Sequence, residues 1–572
     1  MKKIIISLAV CAGFLVASCD EDRLDIEQKA VSSTATFYKT DDDAVSATTA
    51  MYAQFLDNLA GSEGIWNAWI MGLNYSADDV FAAGGDITDH IDFRILNEFR
   101  HDERNGVSDV LYKKTYKAIY AANLVINYFD GKADTPTKKR CVAEARTMRA
   151  YAHMMLALVF YRPPLVDHLL GAGEKTTNCE SQKGLLEWCA TECEEAMADL
   201  KERSGASDAA GAFVATKGFA QFVAGKASVF AGDMARAAKN LKPLVESSNY
   251  ALVPGNRFRD LFHVEGNGCE EKIMELNFRG NANLGGGFWG NIFRGRWMVA
   301  NVLNWRGDDM PAKPNISAVG GWGGASINDQ FAIKMYANDG DGPRRKATFL
   351  TPDEFLYDHD LCGWPSDTAM VTLEQKKKDP GRGITKIGGS FSRGIYLEVK
   401  MMMHPNDAEL TIGDNCNNTN FCLARLGEAY LLYAEACLNN GNKDEGKKYL
   451  NMIQARAEAP ITDLTLQTLQ DEKQYELWFE GCRFNDIVRW GIAKECYDKV
   501  LDNIPYLYDD FFIEGTAYYQ KEHHLRAETK HPLKEAGQYF PFQVNKNEYL
   551  PIPAGVLEIN DQLHQCWGAW VK

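Results

Sequence analysis

Tryptophans in a glycine-rich stretch are the residues whose type and spacing point most directly to binding chemistry. Four lie between residues 289 and 322, and eleven glycines lie between 280 and 324. This composition is typical of shaped loops that present flat rings. An indole face stacks on the apolar face of a sugar ring, and neighbouring polar groups bind its hydroxyls. The alternative is that these rings close a small core of their own. The predicted ligand-binding residues of this stretch are Trp289, Arg294, Trp297, Trp305 and Trp322.

A second group of candidate binding residues follows the first long predicted helix. Trp66 and Asn67 lie in a loop with Trp69, and Asp78 follows shortly afterwards. Trp66, Asn67 and Asp78 are the predicted ligand-binding residues of this second group. The alternative for either tryptophan is simple packing in the interior.

Motifs for catalysis, cofactors and metals are weak in this sequence. Residues 285–290 fit G-x-G-x-x-G, but no strand precedes them and no helix follows, as a dinucleotide site requires. Residues 338–342 have calcium-loop character but lack the bidentate glutamate. A polar turn is favoured there, with a structural Ca²⁺ as the alternative. We therefore predict no catalytic residue, no cofactor and no resident metal.

The N-terminus predicts the compartment of the protein. Lys2 and Lys3 precede an apolar run over 4–16 that is too short to span a bilayer, and Val16-Ala17-Ser18-Cys19 resembles a bacterial lipobox. Residues 1–18 are then a signal peptide, Cys19 is lipidated, and residues 19–35 form an acylated tether. A plain secretory signal is the alternative. The acidic residues 20–22 resemble the surface-export signal of Bacteroidetes lipoproteins.

Charge and patterning limit the class of protein. A net charge of −16 argues against a nucleic-acid partner, because phosphates would be repelled. Helical periodicity predicts an all-α-dominated fold, with helices over 44–59, 107–129, 137–160, 182–203, 212–231 and 234–247. The predicted parts are a helical one over 36–250, a loop-rich insert over 251–420, a helical one over 421–502 with helices over 421–458 and 466–502, and a mixed segment over 503–572.

Two stretches have the sequence pattern of tetratricopeptide helix pairs. In 227–241 and in 436–450 an alanine-containing helix ends near a glycine, and the next helix places a small residue four positions before a leucine. Generic helical hairpins are the alternative, because no strict 34-residue period is present.

Cysteines and charged residues inside apolar helices are predicted to be structural. Cys189 and Cys193 have a helical spacing that rarely suits a disulfide, whereas Cys179, Cys416 and Cys422 could pair. Buried charges require partners of opposite sign. Arg483 follows Glu480 by three positions, and Arg489 follows Asp486 by three, so we predict an ion pair in each case.

Five sequence blocks resemble the SusD/RagB family of outer-membrane nutrient-binding lipoproteins of Bacteroidetes. Together they span nearly the whole chain after the lipobox. The blocks are Thr36-Phe37-Tyr38 with Asp43-Ala44; Ala118–Asn123 with Glu144–Tyr151 and Pro163–Val166; Arg425–Ala436; Glu476–Trp490; and Tyr549–Ala554.

This resemblance implies a SusD-like fold of degenerate tetratricopeptide helix pairs, with a loop-rich insert that carries the ligand site. It implies a lipid-anchored protein on the outside of the outer membrane that captures oligosaccharide and delivers it to a TonB-dependent, SusC-like barrel. It further implies a binding protein and not an enzyme. The alternatives are peptide capture, a surface glycoside hydrolase with two carboxylates, and a scaffold for other proteins.

Overall fold

The computed structural model describes residues 37–60, 68–84, 91–277, 302–303, 322–351, 354, 396–407, 417–501 and 541–571. Several predicted residues lie outside this part of the chain. They are Cys19, Trp66, Asn67, Trp289, Arg294, Trp297, Trp305 and Cys416.

The described residues of the first helical block form eight α-helices. Six of them agree with predicted helices to within a few residues, except that the helices predicted over 182–203 and 212–231 are shorter. The helices over 68–75 and 91–97 were not predicted, and the first of them contains Trp69, which was expected in a loop. The helices are α1 (Asp41–Ala60), α2 (Ala68–Tyr75), α3 (Ile91–Asn97), α4 (Gly106–Phe129), α5 (Pro136–Phe160), α6 (Gln182–Ala196), α7 (Lys217–Ala231) and α8 (Met234–Val245).

Local capping explains where several of these helices begin. Thr40 and Asp43 bond reciprocally at the start of α1, with the Asp43 amide donating to Thr40 Oγ1 and the Thr40 amide to Asp43 Oδ2. Thr135 accepts from the Lys138 amide ahead of α5. These side chains satisfy amides that a helix leaves free, so they fix the first turns of α1 and α5.

Helix α5 forms the middle of the first block. From Cys141 to Phe160 every side chain except that of Arg146 is buried. Helices α4 and α6 pack against it, α6 packs on α7, α7 on α8, and α8 on the first helix of the second block. The two predicted helical parts are therefore one continuous array.

The second block begins differently from its prediction. Residues Phe421–Arg425 form a strand rather than the start of a helix. Within the predicted insert, the α-helices whose whole length the structure describes are α9 (Asp329–Asp339) and α10 (Pro343–Thr348). The helices of the second block are α11 (Leu426–Asn439), α12 (Lys443–Ala457), α13 (Leu466–Glu476), α14 (Arg483–Arg489) and α15 (Ala493–Leu501), and α16 (Ala554–Ile559) follows near the end of the chain.

Small residues allow close packing in both predicted tetratricopeptide-like pairs. A Cβ on Gly225 would lie 2.4 Å from Leu241 Cγ, so α7 and α8 approach closely only because that residue is glycine. A Cβ on Gly446 would lie 2.8 Å from the Ala434 carbonyl oxygen, which gives the same relation between α12 and α11. Helix α7 ends at Gly232, whose φ of 79° is left-handed.

Among the residues that the structure describes, three two-stranded antiparallel ribbons connect distant parts of the chain. Each joins a strand from an early segment to one that follows it by many residues. The pairs are β1 (Val80–Ala82) with β3 (Ala325–Ile327), β2 (Lys272–Leu276) with β6 (Phe421–Arg425), and β4 (Phe349–Leu350) with β5 (Leu397–Glu398).

The cysteines that the structure describes are all free thiols. Cys189 and Cys193 are buried in the main core, and burial raises the pKa of both thiols. Their predicted role as inert packing groups is confirmed. Cys179 and Cys422 are unpaired as well.

Among the described residues, no helix is both long and apolar enough to cross a bilayer.

Candidate functional site

The ribbon of β1 and β3 joins the two chain segments in which ligand-binding residues were predicted. Val80 pairs with Ile327, and Ala82 pairs with Ala325. The Tyr75 hydroxyl donates to the Gly324 carbonyl oxygen at 2.6 Å, which fixes the end of α2 beside the same strand. The early loop and the insert therefore meet along one seam.

Of the predicted tryptophans, Trp322 is the one in the described residues. It lies three positions before β3, is half-buried and packs against the main core. The neighbouring Trp69 is 2% exposed and forms part of that core. The alternative of simple packing is thus confirmed for Trp69, whereas Trp322 keeps part of its surface in solvent.

Asp78 lies at the opposite end of the ribbon, two positions before β1. Arg483, the first residue of α14, donates to it from Nε at 2.7 Å and from Nη2 at 2.8 Å. Burial alone would raise the pKa of Asp78, but the Arg483 guanidinium outweighs burial and holds that pKa below its ordinary value. Asp78 is therefore an ionised group with a fixed orientation.

The adjacent carboxyl group of Asp79 has the opposite electrostatic character. Its residue is 1% exposed, and Gln474 Nε2 lies 3.4 Å from its Oδ2. Burial, with the nearby negative charge of Asp78, raises the pKa of Asp79 to about 7. The Trp478 indole donates to the Asp79 backbone carbonyl at 3.2 Å and packs the loop against the end of α13.

A cleft of about 460 Å³ opens beside Asp78. Its walls come from the early loop and from helices α9, α13, α14 and α15. We call it the seam groove. It is lined by five amide side chains (Asn328, Gln330, Gln467, Gln470 and Gln474), by six charged ones (Asp78, Lys334, Asp471, Arg483, Glu495 and Lys499), and by Phe331, Ile492, Cys496 and Val500.

Each cation that lines the seam groove contacts a carboxylate. Lys334 Nζ lies 2.6 Å from Asp471 Oδ1 and also donates to Gln474 Oε1 at 3.0 Å. Lys499 lies 2.9 Å from Glu495, one turn earlier on α15. Together with the Arg483–Asp78 pair, these contacts leave the groove polar but electrostatically balanced.

A buried ion network behind the groove holds the insert against the second helical block. Glu476, at the end of α13, accepts hydrogen bonds from Arg344, Arg425 and Arg456. Burial would raise the pKa of Glu476, but the three guanidiniums hold it well below its ordinary value. Since Arg344 belongs to α10, the network fixes this part of the insert relative to α13.

One predicted ion pair is wrong and one is confirmed. Arg489 does pair with Asp486, at 2.8 Å. Arg483 pairs with Asp78 instead of Glu480, because Glu480 is occupied by Arg425 at 2.6 Å and Lys400 at 2.7 Å. Helical spacing identified local partners and missed these long-range ones.

The stretch with calcium-loop character forms a polar turn. Asp339 bonds to Arg344 at 2.8 Å, and Asp341 bonds to Arg345 at 2.8 Å. Within the described ranges, no group of three or more histidine, cysteine, aspartate or glutamate side chains could hold a metal ion.

Comparison with known proteins identifies the family. The model of the SusD family matches residues 262–569, more than half of the chain. The chain belongs to the SusD family. Proteins of the SusD family are binding proteins and not enzymes.

Relatives of known description resemble this chain over different lengths. A SusD-like protein of Bacteroides ovatus is 23% identical over 516 residues, which cover 86% of this chain and 83% of the relative. The starch-binding protein SusD of Bacteroides thetaiotaomicron is 25% identical over 203 residues, which cover 32% of this chain and 36% of the relative.

Solved structures show the same mostly helical SusD-like fold. A laminarin-binding SusD-like protein superposes with a TM-score of 0.70 at 21% identity, covering 93% of this chain and 100% of its own. Surface glycan-binding protein A from Bacteroides thetaiotaomicron, in complex with laminarihexaose, gives 0.66 at 18% identity, covering 91% and 98%. The predicted fold is therefore confirmed.

Proposed function

We propose that this protein is a lipid-anchored protein of the cell surface that captures extracellular oligosaccharide. It then delivers the sugar to a TonB-dependent, SusC-like transporter in the outer membrane. The observation that carries the proposal is the β1–β3 ribbon, which joins the early loop to the insert of a SusD-family chain. Relatives described as laminarin-binding and starch-binding support a sugar as ligand.

The proposed ligand site consists of Trp66, Asn67, Asp78, Trp289, Arg294, Trp297, Trp305 and Trp322. The tryptophan faces would stack on sugar rings, and the polar members would bind hydroxyls. Asp78 suits this role because its carboxylate is ionised, held by Arg483 and open to the seam groove.

The proposed attachment and orientation rest on the N-terminal sequence. Acylation of Cys19 would hold the mature chain at the outer membrane, since several acyl chains together give stable anchoring. The acidic residues 20–22 favour export to the outer face. We expect Cys19→Ser to release the protein from the membrane fraction, and radiolabelled palmitate incorporation into the unsubstituted chain checks the modification.

Calorimetric titration of the soluble chain that begins after Cys19 tests sugar capture. We expect saturable binding of an oligosaccharide and its loss on Trp→Ala substitution at 289, 297 or 305. Trp567→Ala, near the C-terminus, is the matched control and should bind normally. If peptides gave a heat of binding and no sugar did, peptide capture would replace sugar capture as the proposed function.

Delivery to a transporter needs a separate experiment. We expect the full-length, acylated chain to copurify from solubilised outer membranes with a TonB-dependent barrel, identified by mass spectrometry. The Cys19→Ser chain, expressed at the same level, is the control. If the protein bound sugar but no such barrel copurified with it, the proposed capture would stand and the proposed delivery would be overturned.

A further inference from the structure

The side chain of Gln470 is the polar group in the seam groove that most clearly lacks a partner. This residue of α13 is 7% exposed, and its side chain lines the groove. No other described residue bonds to its carboxamide. The carboxamide therefore faces the solvent of the groove, where it offers a donor and an acceptor to a ligand.

A second unpartnered amide lies on the other long wall of the groove. Gln330 is the second residue of α9 and is exposed, and within the described residues its side chain makes no hydrogen bond. One turn further along α9, Lys334 bonds across the groove to Asp471 and Gln474 of α13. Gln470 precedes Gln474 by one turn, so free amides flank this clamp on both helices.

The charges of the groove disfavour an anionic ligand. Arg483, Lys334 and Lys499 each have a carboxylate within 3 Å, at 2.7, 2.6 and 2.9 Å respectively. A uronate or sulfate would have to displace one of these carboxylates or lie beside it, and like charges at short range repel. Sugar hydroxyls face no such penalty.

We propose that the seam groove selects uncharged saccharide residues, whose hydroxyls bond to the carboxamides of Gln470 and Gln330. This inference rests on the proposed function and adds a substrate class to it: neutral oligosaccharide rather than uronic or sulfated oligosaccharide. The clamp of Lys334 on Asp471 determines this selectivity, because it neutralises a cation that lies one helical turn from Gln330.

Calorimetry with the chain that begins after Cys19 tests the inference. The neutral probes are laminarihexaose, maltohexaose, cellohexaose, xylohexaose and mannohexaose, and the anionic probes are hexagalacturonate and a sulfated heparin hexasaccharide. We expect at least one neutral probe to bind and both anionic probes to fail. Gln470→Met keeps length and helix propensity, and should weaken neutral binding roughly three- to tenfold, the range for a lost hydrogen bond.

Three further variants make the outcome decisive. Gln562→Met, an exposed glutamine near α16, is the control and should bind like the parent chain. Gln330→Ala removes the second amide at an exposed position, so it remains informative if Gln470→Met melts early. Asp471→Asn frees the Lys334 cation and should confer measurable affinity for hexagalacturonate.

Different failures have different meanings. Tight binding of hexagalacturonate by the parent chain would overturn the inference and leave sugar capture intact. Neutral binding that neither Gln330→Ala nor a folded Gln470→Met weakens would also overturn it. If no sugar gave a binding signal, the proposed function and the inference would both be overturned.

Discussion

Arg483 donates two hydrogen bonds to Asp78 across 405 positions of the chain, from Nε at 2.7 Å and from Nη2 at 2.8 Å. This pair joins the loop before β1 to the start of α14 and forms one wall of the seam groove. Asp78 was predicted to contact ligand, and its contact with Arg483 now assigns it a second role, that of orienting the loop.

Removing the cation of this pair should destabilise the protein. Arg483→Met leaves Asp78 ionised without a partner beside Asp79, and breaking a buried pair on one side costs about 3 kcal/mol. Urea unfolding followed by circular dichroism measures the loss. Arg483→Lys should recover only part of it, because an ammonium does not reproduce the two-point contact. Full recovery would show that charge alone suffices.

Asp79 should make stability depend on pH between about 4 and 7. Because its pKa is about 7 in the folded state and 3.8 ordinarily, the folded state binds the extra proton in this range. Stability therefore falls as pH rises, by at most about 1.4 kcal/mol per unit. Asp79→Asn removes this term, so the variant should gain stability relative to the parent from pH 4 to 7. Parallel urea midpoints at every pH would contradict this assignment.

Gly225 should not tolerate a methyl group. Gly225→Ala places a Cβ 2.4 Å from Leu241 Cγ in a close-packed core, which should cost about 1–3 kcal/mol despite the better helix propensity of alanine. Gly555→Ala in α16 is the matched control, since a Cβ there meets nothing within 4 Å. Thermal unfolding of the two variants should therefore shift in opposite directions or by clearly different amounts.

The charge of Glu476 should contribute far more to the free energy of unfolding than an exposed ion pair does. Glu476→Gln leaves three buried guanidiniums without their shared carboxylate, and we expect a loss of about 3–5 kcal/mol. Lys494→Ala breaks an exposed pair with Asp498 and should change stability by less than about 1 kcal/mol. If chemical denaturation showed equal losses of unfolding free energy for the two variants, the buried network around Glu476 would not be rigid.

Much of the helical fold follows from sequence because its signals are local. The Thr40 cap and the apolar periodicity of α4 and α5 are properties of adjacent residues. The strand Phe421–Arg425 was wrongly predicted as helix because its partner, β2, lies some 150 positions earlier in the chain. Local propensity carries no information about a strand that exists only when paired.

The candidate site could be predicted by segment but not by contact. Trp322 and Asp78 were named from composition and position, and the ribbon does join their segments. The partnership of Arg483 with Asp78 and the free amide of Gln470 depend on how distant helices meet. A glutamine in a helix gives no signal in sequence that it faces a groove.

The ribbon of β1 and β3 also bears on the order of folding. The hydrogen bond from Tyr75 to Gly324 closes a loop of 249 positions, whereas α7 and α8 meet across a short turn. Closing long loops costs more entropy, and distant contacts slow folding. We expect the helical hairpins to form first and the seam to close last. A chain emerging across a membrane would then remain unable to bind ligand until residues beyond 324 have also crossed.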